Sequence, residues 1–272
     1  GLFYKIVCAD ILSIFSENYS TYIEQASTNN DNINIYIFIF YAFAYGFRIY
    51  FDFAGYSLMA IGIGYLFNFK LPKNFDEPYK KLSIKDFWRH WHITLSMWFR
   101  DHIFNFIKKK YSFIFAILVT FLLSGIWHGA GWGFVYWGLY HGILYLIYNY
   151  FEKRITQWNY YIKLFLLNIL VMLSWPFFDL GFDLYVYSIF NLELNFSSFY
   201  FPINKYFSYL FITFIFLIVY FFDEKKVIYK ETIISKKNYF SLMLSSPYII
   251  ASLFVLSISL IEISKTFIYF RF

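Results

Sequence analysis

Between residues 35 and 69 the chain is nearly all apolar, and only Arg48 and Asp52 carry charge there. At about 1.5 Å of rise per residue the stretch is too long for one crossing of a ~30 Å hydrocarbon core, so it reads as two helices or a bent pair. Further apolar stretches follow at 111–151, 161–180, 206–222 and 247–263. Of the 272 residues, 60% are hydrophobic, 28% aromatic and 15% charged. An ordinary soluble domain is about 45–50% apolar and about 25% charged, and one core of this size cannot hide so much Phe, Ile and Leu. These figures and the single Cys8 exclude disorder, a coiled coil and a disulfide-stapled secreted domain. The expected fold class is all-α: a polytopic integral membrane protein, with residues 1–272 forming a single transmembrane domain.

Charge sets the expected orientation. The net charge is +6, from 23 Lys and Arg against 17 Asp and Glu, but the basic residues are dispersed and form no stripe for nucleic acid. Residues 70–112 carry ten Lys and Arg against four Asp and Glu and read as a cytoplasmic, interfacial segment. Residues 18–34 are polar, acidic and free of Lys and Arg, and read as a loop on the other side. From residue 152 onward the alternation is self-consistent, with the Lys-rich 223–239 inside and 181–204 outside. Before it there is a conflict of parity. Two full spans within 35–69 would put the basic segment outside, and a re-entrant or partly spanning helix near Arg48 and Asp52 would resolve this. The chain opens on Gly1, and residues 1–15 are apolar but too short to span. An N-terminal portion, including further helices, is expected to precede it.

All five histidines fall between His90 and His141. His128 lies in Leu123-Ser124-Gly125-Ile126-Trp127-His128-Gly129-Ala130-Gly131. A helix rising from Tyr111 reaches His128 after about 25 Å, short of a full crossing. The glycines then let the chain turn beside a cavity, since irregular backbone at that depth must be buried or line water. An ionisable residue there is a functional candidate, and neutral imidazole can take a hydroxyl proton. The competing reading is a histidine that bonds one helix to another. His141 is more than three turns further on, either a second relay or, by preference, a structural donor. Residues 84–102 read as one aromatic, basic interfacial helix capped by Ser83 or Asp86, with Trp88, His92, Ser96 and Phe99 on one face. His92 therefore falls on the apolar face, whereas His90 and His102 read as ordinary interface residues. Arg48 and Asp52, four apart, read as an intramembrane pair, with Asp52 orienting a histidine or substrate as the alternative. No phosphate loop, Gly-x-Ser-x-Gly elbow or metal-spaced Cys/His set is present.

Four ordered blocks resemble the membrane-bound O-acyltransferase family, in its bacterial polysaccharide-modifying branch. They are Tyr50-Phe51-Asp52-Phe53-Ala54-Gly55-Tyr56-Ser57; Leu71-Pro72 with Asn74-Phe75 and Pro78-Tyr79; Asp86-Phe87-Trp88-Arg89-His90-Trp91-His92 with Trp98-Phe99-Arg100-Asp101; and Ser124-Gly125-Ile126-Trp127-His128-Gly129 with Trp137-Gly138-Leu139-Tyr140-His141-Gly142. The last two together are highly specific. There are two departures. The basic run 103–110 stands where the alginate-type proteins carry a Pro-Gly-Gly turn, and Asp179 stands after Phe178 where an arginine is expected.

The resemblance implies a helical bundle with re-entrant or short helices around a central funnel, in a multi-pass protein of the cytoplasmic (inner) membrane. By position His128 matches the family's catalytic histidine and His92 its second motif histidine. Asp52, Arg100, Asp101 and His141, with Trp127 beside the catalytic position, match supporting residues. The implied reaction moves an acyl group, acetyl by preference, from a cytoplasmic thioester (acetyl-CoA or an acyl carrier protein) for O-acetylation of an extracytoplasmic polysaccharide. The expected partners are membrane lipid, that polymer and a periplasmic or extracellular acetyltransferase, with no tightly bound cofactor. D-alanyl transfer to teichoic acid is the second enzymatic reading. A transporter or a non-catalytic scaffold are the readings outside enzymology. The nearly charge-free stretches after residue 151 weigh against a transport relay.

Overall fold

The computed structural model of the chain describes residues 1–194. It is mostly helical, with nine α-helices and one two-residue parallel bridge among the described residues. A π-helical turn, Phe3–Ala9, runs straight into α1, Asp10–Asn29, which Asn30 ends in the left-handed region at φ 60°. The loop expected at 18–34 is thus helical to Asn29. Polarity hid the pattern, because Phe15, Tyr19, Ile23 and Ala26 recur at helical spacing and are buried.

Helix α2, Ile35–Leu66, is one continuous helix of 32 residues, capped where the Asn34 side chain accepts from the Tyr36 N–H. At about 48 Å it exceeds the ~30 Å hydrocarbon core. The expected break at Arg48 and Asp52 does not occur, and the two do not pair with each other. Both reach sideways to the N-terminal helix. Arg48 donates to Ser16 Oγ at 2.8 Å and to Glu17 at 3.1 Å. Lys5 stands 2.5 Å from Asp10 and 2.8 Å from Asp52, all three buried. Buried charges persist when paired, so each is held without bending the helix. Residues 30–34 and the basic segment therefore lie at opposite ends of one helix.

The segment that follows is built from short helices. Ser83 caps α3, Ile84–His90, by accepting from the Asp86 N–H at 2.9 Å, as the sequence indicates. The single helix expected over 84–102 is broken at Trp91 and His92. It restarts as α4, Ile93–Trp98, passes through a π-helical turn, Phe99–Phe104, and ends as α5, Asn105–Lys108. Helix α6, Phe113–His128, then runs back, and α7, Trp132–Ile155, follows the turn at Gly129–Gly131. The predicted glycine break is where it was expected.

Helix α8, Tyr160–Met172, and α9, Pro176–Phe190, replace the straight span expected over 161–180. They meet at 72°. Pro176 opens α9, and Gly181 at φ 71° kinks it without ending it, so the loop expected at 181–204 is helical as far as Phe190, and its part beyond residue 194 lies outside the described residues. The bridge pairs β1, Ile33–Asn34, with β2, Leu192–Glu193, so the all-α expectation holds except for this parallel tie. By length and composition α2 could cross a membrane alone, and α8 with α9 could do so as one broken span. The expected spans at 206–222 and 247–263 and the loop 223–239 lie outside the described residues.

Helices α6 and α7 approach through glycine. A Cβ on Gly125 would meet the Phe134 carbonyl, and one on Gly138 the Phe121 carbonyl, both backbone atoms that cannot step aside. Gly138→Ala should therefore lower stability by about 1–3 kcal/mol, the usual cost of overpacking. Thermal unfolding of the full-length protein in detergent would measure it. Gly62→Ala, with nothing within 4 Å of the new methyl, should show no loss.

Candidate functional site

The break between α3 and α4 is fixed from a distant loop. The Ile93 N–H donates to the Asn74 carbonyl at 2.9 Å, and the Thr94 hydroxyl to the Asn74 side chain at 2.9 Å. The Asp76 N–H closes the other flank on the His90 carbonyl at 3.1 Å. Between these bonds His92 is forced to φ 42°, a left-handed conformation that costs a non-glycine residue on the order of 1–3 kcal/mol. The Ser96 hydroxyl donates back across the break to the Trp91 carbonyl at 3.0 Å. The reward is placement. His92 turns into the protein, buried, with its ring edge-on to Phe53 at 4.7 Å.

His128 arrives from the other side, at the last turn of α6. Its ring is buried among Trp127, Phe178 and Trp137, with centroids at 5.0, 5.1 and 5.5 Å. Trp127 also lies 6.0 Å from the His92 ring, so one indole touches both imidazoles. Both histidines line a cavity of about 520 Å³, within the range of sites that hold small ligands.

The cavity follows the seam of a helical hairpin. One arm is the helical run from Ile93 to Lys108 and the other is α6. Along α6 the lining includes Phe113, Ile117, Thr120, Ser124 and His128, a stripe at spacings of three and four, with Phe121 beside it. The stripe grows more polar toward His128. The hydroxyls of Thr120 and Ser124 were not singled out in the sequence, although their spacing back from His128 marks them. Every charged residue in the lining is basic: Lys85, Arg89, Arg100 and Lys108.

The supporting residues divide. Arg100 lines the cavity and is held by Asp101 through two bonds of 2.7 and 3.0 Å. Those bonds push the Asp101 carboxyl below its usual range and raise the Arg100 guanidinium. Both side chains are exposed, so the pair adds little to stability. Asp52 is committed to Lys5, as described, and does not line the cavity. His141 is fully buried and also outside the lining. Its Nε2 lies 2.9 Å from Ser174 Oγ, at the bend between α8 and α9. Trp137 sits edge-on between the rings of His128 and His141, at 5.5 and 4.8 Å, and packs on Trp175. His90 and His102 lie within hydrogen-bond distance of the carbonyls of Asp86 and Trp98, one turn back, and His90 Nε2 also lies 3.7 Å from the Asp76 carboxylate. No group of three or more His, Cys, Asp or Glu placed to hold a metal occurs among the described residues.

A family model described as MBOAT, membrane-bound O-acyltransferase family, matches residues 1–190. The chain is similar to a peptidoglycan O-acetyltransferase of Helicobacter pylori, 38% identical over 193 residues, which is 65% of this chain and 34% of that protein. It is 39% identical over 122 residues to a teichoic acid D-alanyltransferase of Bacillus subtilis, 41% of this chain and 30% of the relative. A probable alginate O-acetylase of Azotobacter vinelandii is 46% identical over 99 residues, 35% of this chain and 20% of the relative. The chain thus spans about a third or less of the length of these curated relatives.

Ser174→Ala would strip the partner from a buried imidazole. The expected loss is about 1–3 kcal/mol, the cost of one unsatisfied buried polar group. Ser174→Thr, which keeps a hydroxyl, should recover part of it. Thermal unfolding of both variants beside the wild type is the check.

Proposed function

The chain belongs to the membrane-bound O-acyltransferase family, and from that premise we propose that it forms the reaction chamber of an O-acetyltransferase that modifies an extracytoplasmic polysaccharide. The observation that carries the reading is the meeting of His92 and His128 at one end of a cavity whose charged lining is wholly basic. An acyl thioester carried on a phosphorylated arm, acetyl-CoA or an acyl carrier protein, matches that lining in charge and in its mixture of apolar wall and polar end. The peptidoglycan O-acetyltransferase aligns over 65% of this chain and the teichoic acid D-alanyltransferase over 41%, which supports acetyl over D-alanyl transfer.

In the proposed reaction the acceptor hydroxyl attacks the thioester carbonyl carbon. His128 takes the hydroxyl proton as general base. A C–O bond forms, the C–S bond breaks, and the proton passes to the departing thiolate, leaving an ester and a thiol. His92 orients the donor, and Thr120 and Ser124 offer hydroxyls along its path. Apolar rings around the imidazoles exclude competing water. Arg100 meets the donor near the basic lining, with Asp101 holding its guanidinium. In this reading the protein sits in the cytoplasmic membrane, takes its donor from the cytoplasm and works with an extracytoplasmic acetyltransferase that completes delivery.

The test is ester-linked acetate on purified wall and surface polysaccharide from a deletion strain. The strain is complemented with the full-length protein or its His128→Ala variant at equal membrane levels. We expect acetate to return with the wild type and to stay absent, or lower by 100-fold or more, with the variant, on the order of general-base catalysis. Equal acetate in both strains would remove His128 from the chemistry and favour a scaffold. An unchanged acetate content on deletion, with a loss of D-alanine esters, would favour the teichoic acid reading.

A further inference from the structure

The hairpin that encloses the cavity has arms of matched length. His92 and His128 stand at its open end. Lys108, the last residue of α5, stands at its turn beside Phe113, the first residue of α6. Fifteen residues of helix separate Phe113 from His128, about 22 Å along the axis. The other arm covers a similar distance from His92 to Lys108.

Three of the four cations in the lining already hold a carboxylate: Lys85 with Glu152 at 2.7 Å, Arg89 with Asp86 at 3.0 Å and Arg100 with Asp101 at 2.7 Å. Lys108 holds none among the described residues. Its ammonium instead lies over the rings of Phe104 and Phe113, at 5.5 and 5.8 Å, and those rings meet edge-on at 6.0 Å. Cation–π contacts keep an ammonium in place without neutralising it. All three side chains line the cavity. This lysine belongs to the basic run that stands where the alginate-type pattern has a turn.

We propose that Lys108 is the phosphate anchor of the donor, set one extended pantetheine arm away from His92 and His128. The inference rests on the thioester reading of the site. The hairpin then acts as a ruler. A donor whose phosphate and thioester are separated by a pantetheine arm reaches both ends at once, and a thioester lacking the phosphate reaches only one. The phosphate of free coenzyme A and the phosphodiester of a carrier protein share this chemistry.

The experiment uses the purified full-length protein with its acceptor and three donors: acetyl-CoA, an acetylated acyl carrier protein and phosphate-free acetyl-pantetheine. Wild type, Lys108→Ala, Lys108→Arg and Lys110→Ala are compared. Lys110 lies in the same basic run but outside the lining. Loss of one charge-assisted contact is worth about tenfold in KM. Lys108→Ala should therefore raise KM about tenfold for whichever phosphorylated donor the protein uses, without moving KM for acetyl-pantetheine. Lys108→Arg should restore most of it, and Lys110→Ala should match the wild type. A rise confined to acetyl-CoA or to the carrier protein identifies the source. Binding of CoA against pantetheine, measured directly on the same proteins, should show the same difference without turnover. Equal KM for wild type and Lys108→Ala on both phosphorylated donors would overturn the anchor and leave the proposed reaction standing. Failure of the wild type with all three donors would overturn the proposed reaction and the anchor together.

Discussion

The site depends on one interruption, the stop at Trp91 and restart at Ile93. Had α3 continued, the segment from 84 to 108 would be a straight interfacial rod and His92 would lie along its side. The Asn74 and Asp76 bonds prevent that by satisfying backbone groups on both flanks of the break. The second arm can then leave at a new angle and lie against α6, which makes the seam. The left-handed backbone at His92 is local strain held in place by its surroundings, as is common where a side chain must be aimed.

Around that seam, aromatic side chains do most of the positioning. Trp175 packs at a tilt against both Trp91 and Trp137 and donates to the Tyr79 hydroxyl at 3.2 Å, which in turn donates to the Gly46 carbonyl. One hydrogen-bonded ring system thus connects α2, the loop before α3, α7 and the bend between α8 and α9. Large flat side chains with a polar handle suit this role, because they fill volume while the handle fixes orientation. The buried charges serve a different end. Lys5, Asp10 and Asp52, with Arg48, Ser16 and Glu17, bind the N-terminal helix to α2 rather than serving the cavity.

How much of this the sequence disclosed depends on how local the cause is. The α6 stripe and the turn after His128 were legible because periodicity and glycine placement lie within a few residues of one another. So was the Ser83 cap. The break at His92 was not, because its cause is Asn74, eighteen residues upstream, in a loop whose residues do not say where its bonds go. The partners of Arg48 and Asp52 were hidden for the same reason. Ser16, Glu17 and Lys5 lie thirty to fifty residues before them, and an i, i+4 pairing within α2 looked sufficient. The extension of α1 past Phe15 was masked by a polar face that outnumbers its four buried positions. Of the candidate residues, His128, His92 and Arg100 converge on the cavity, while Asp52 and His141 support the fold around it.

The packing around His128 has a consequence for permeability. Under the proposed reaction the cavity would admit a charged, water-soluble arm from one side of a bilayer, and such a chamber is partway to being a pore. Trp127, Trp137 and Phe178 each pack on the His128 ring, and Trp137 meets Phe178 edge-on, at the end of the cavity away from Lys108. A constriction of aromatic rings does not hold a continuous file of water, and without one, ions and protons have no conductor. Under the proposed reaction, the rings that hold the imidazole would also keep the chamber from conducting.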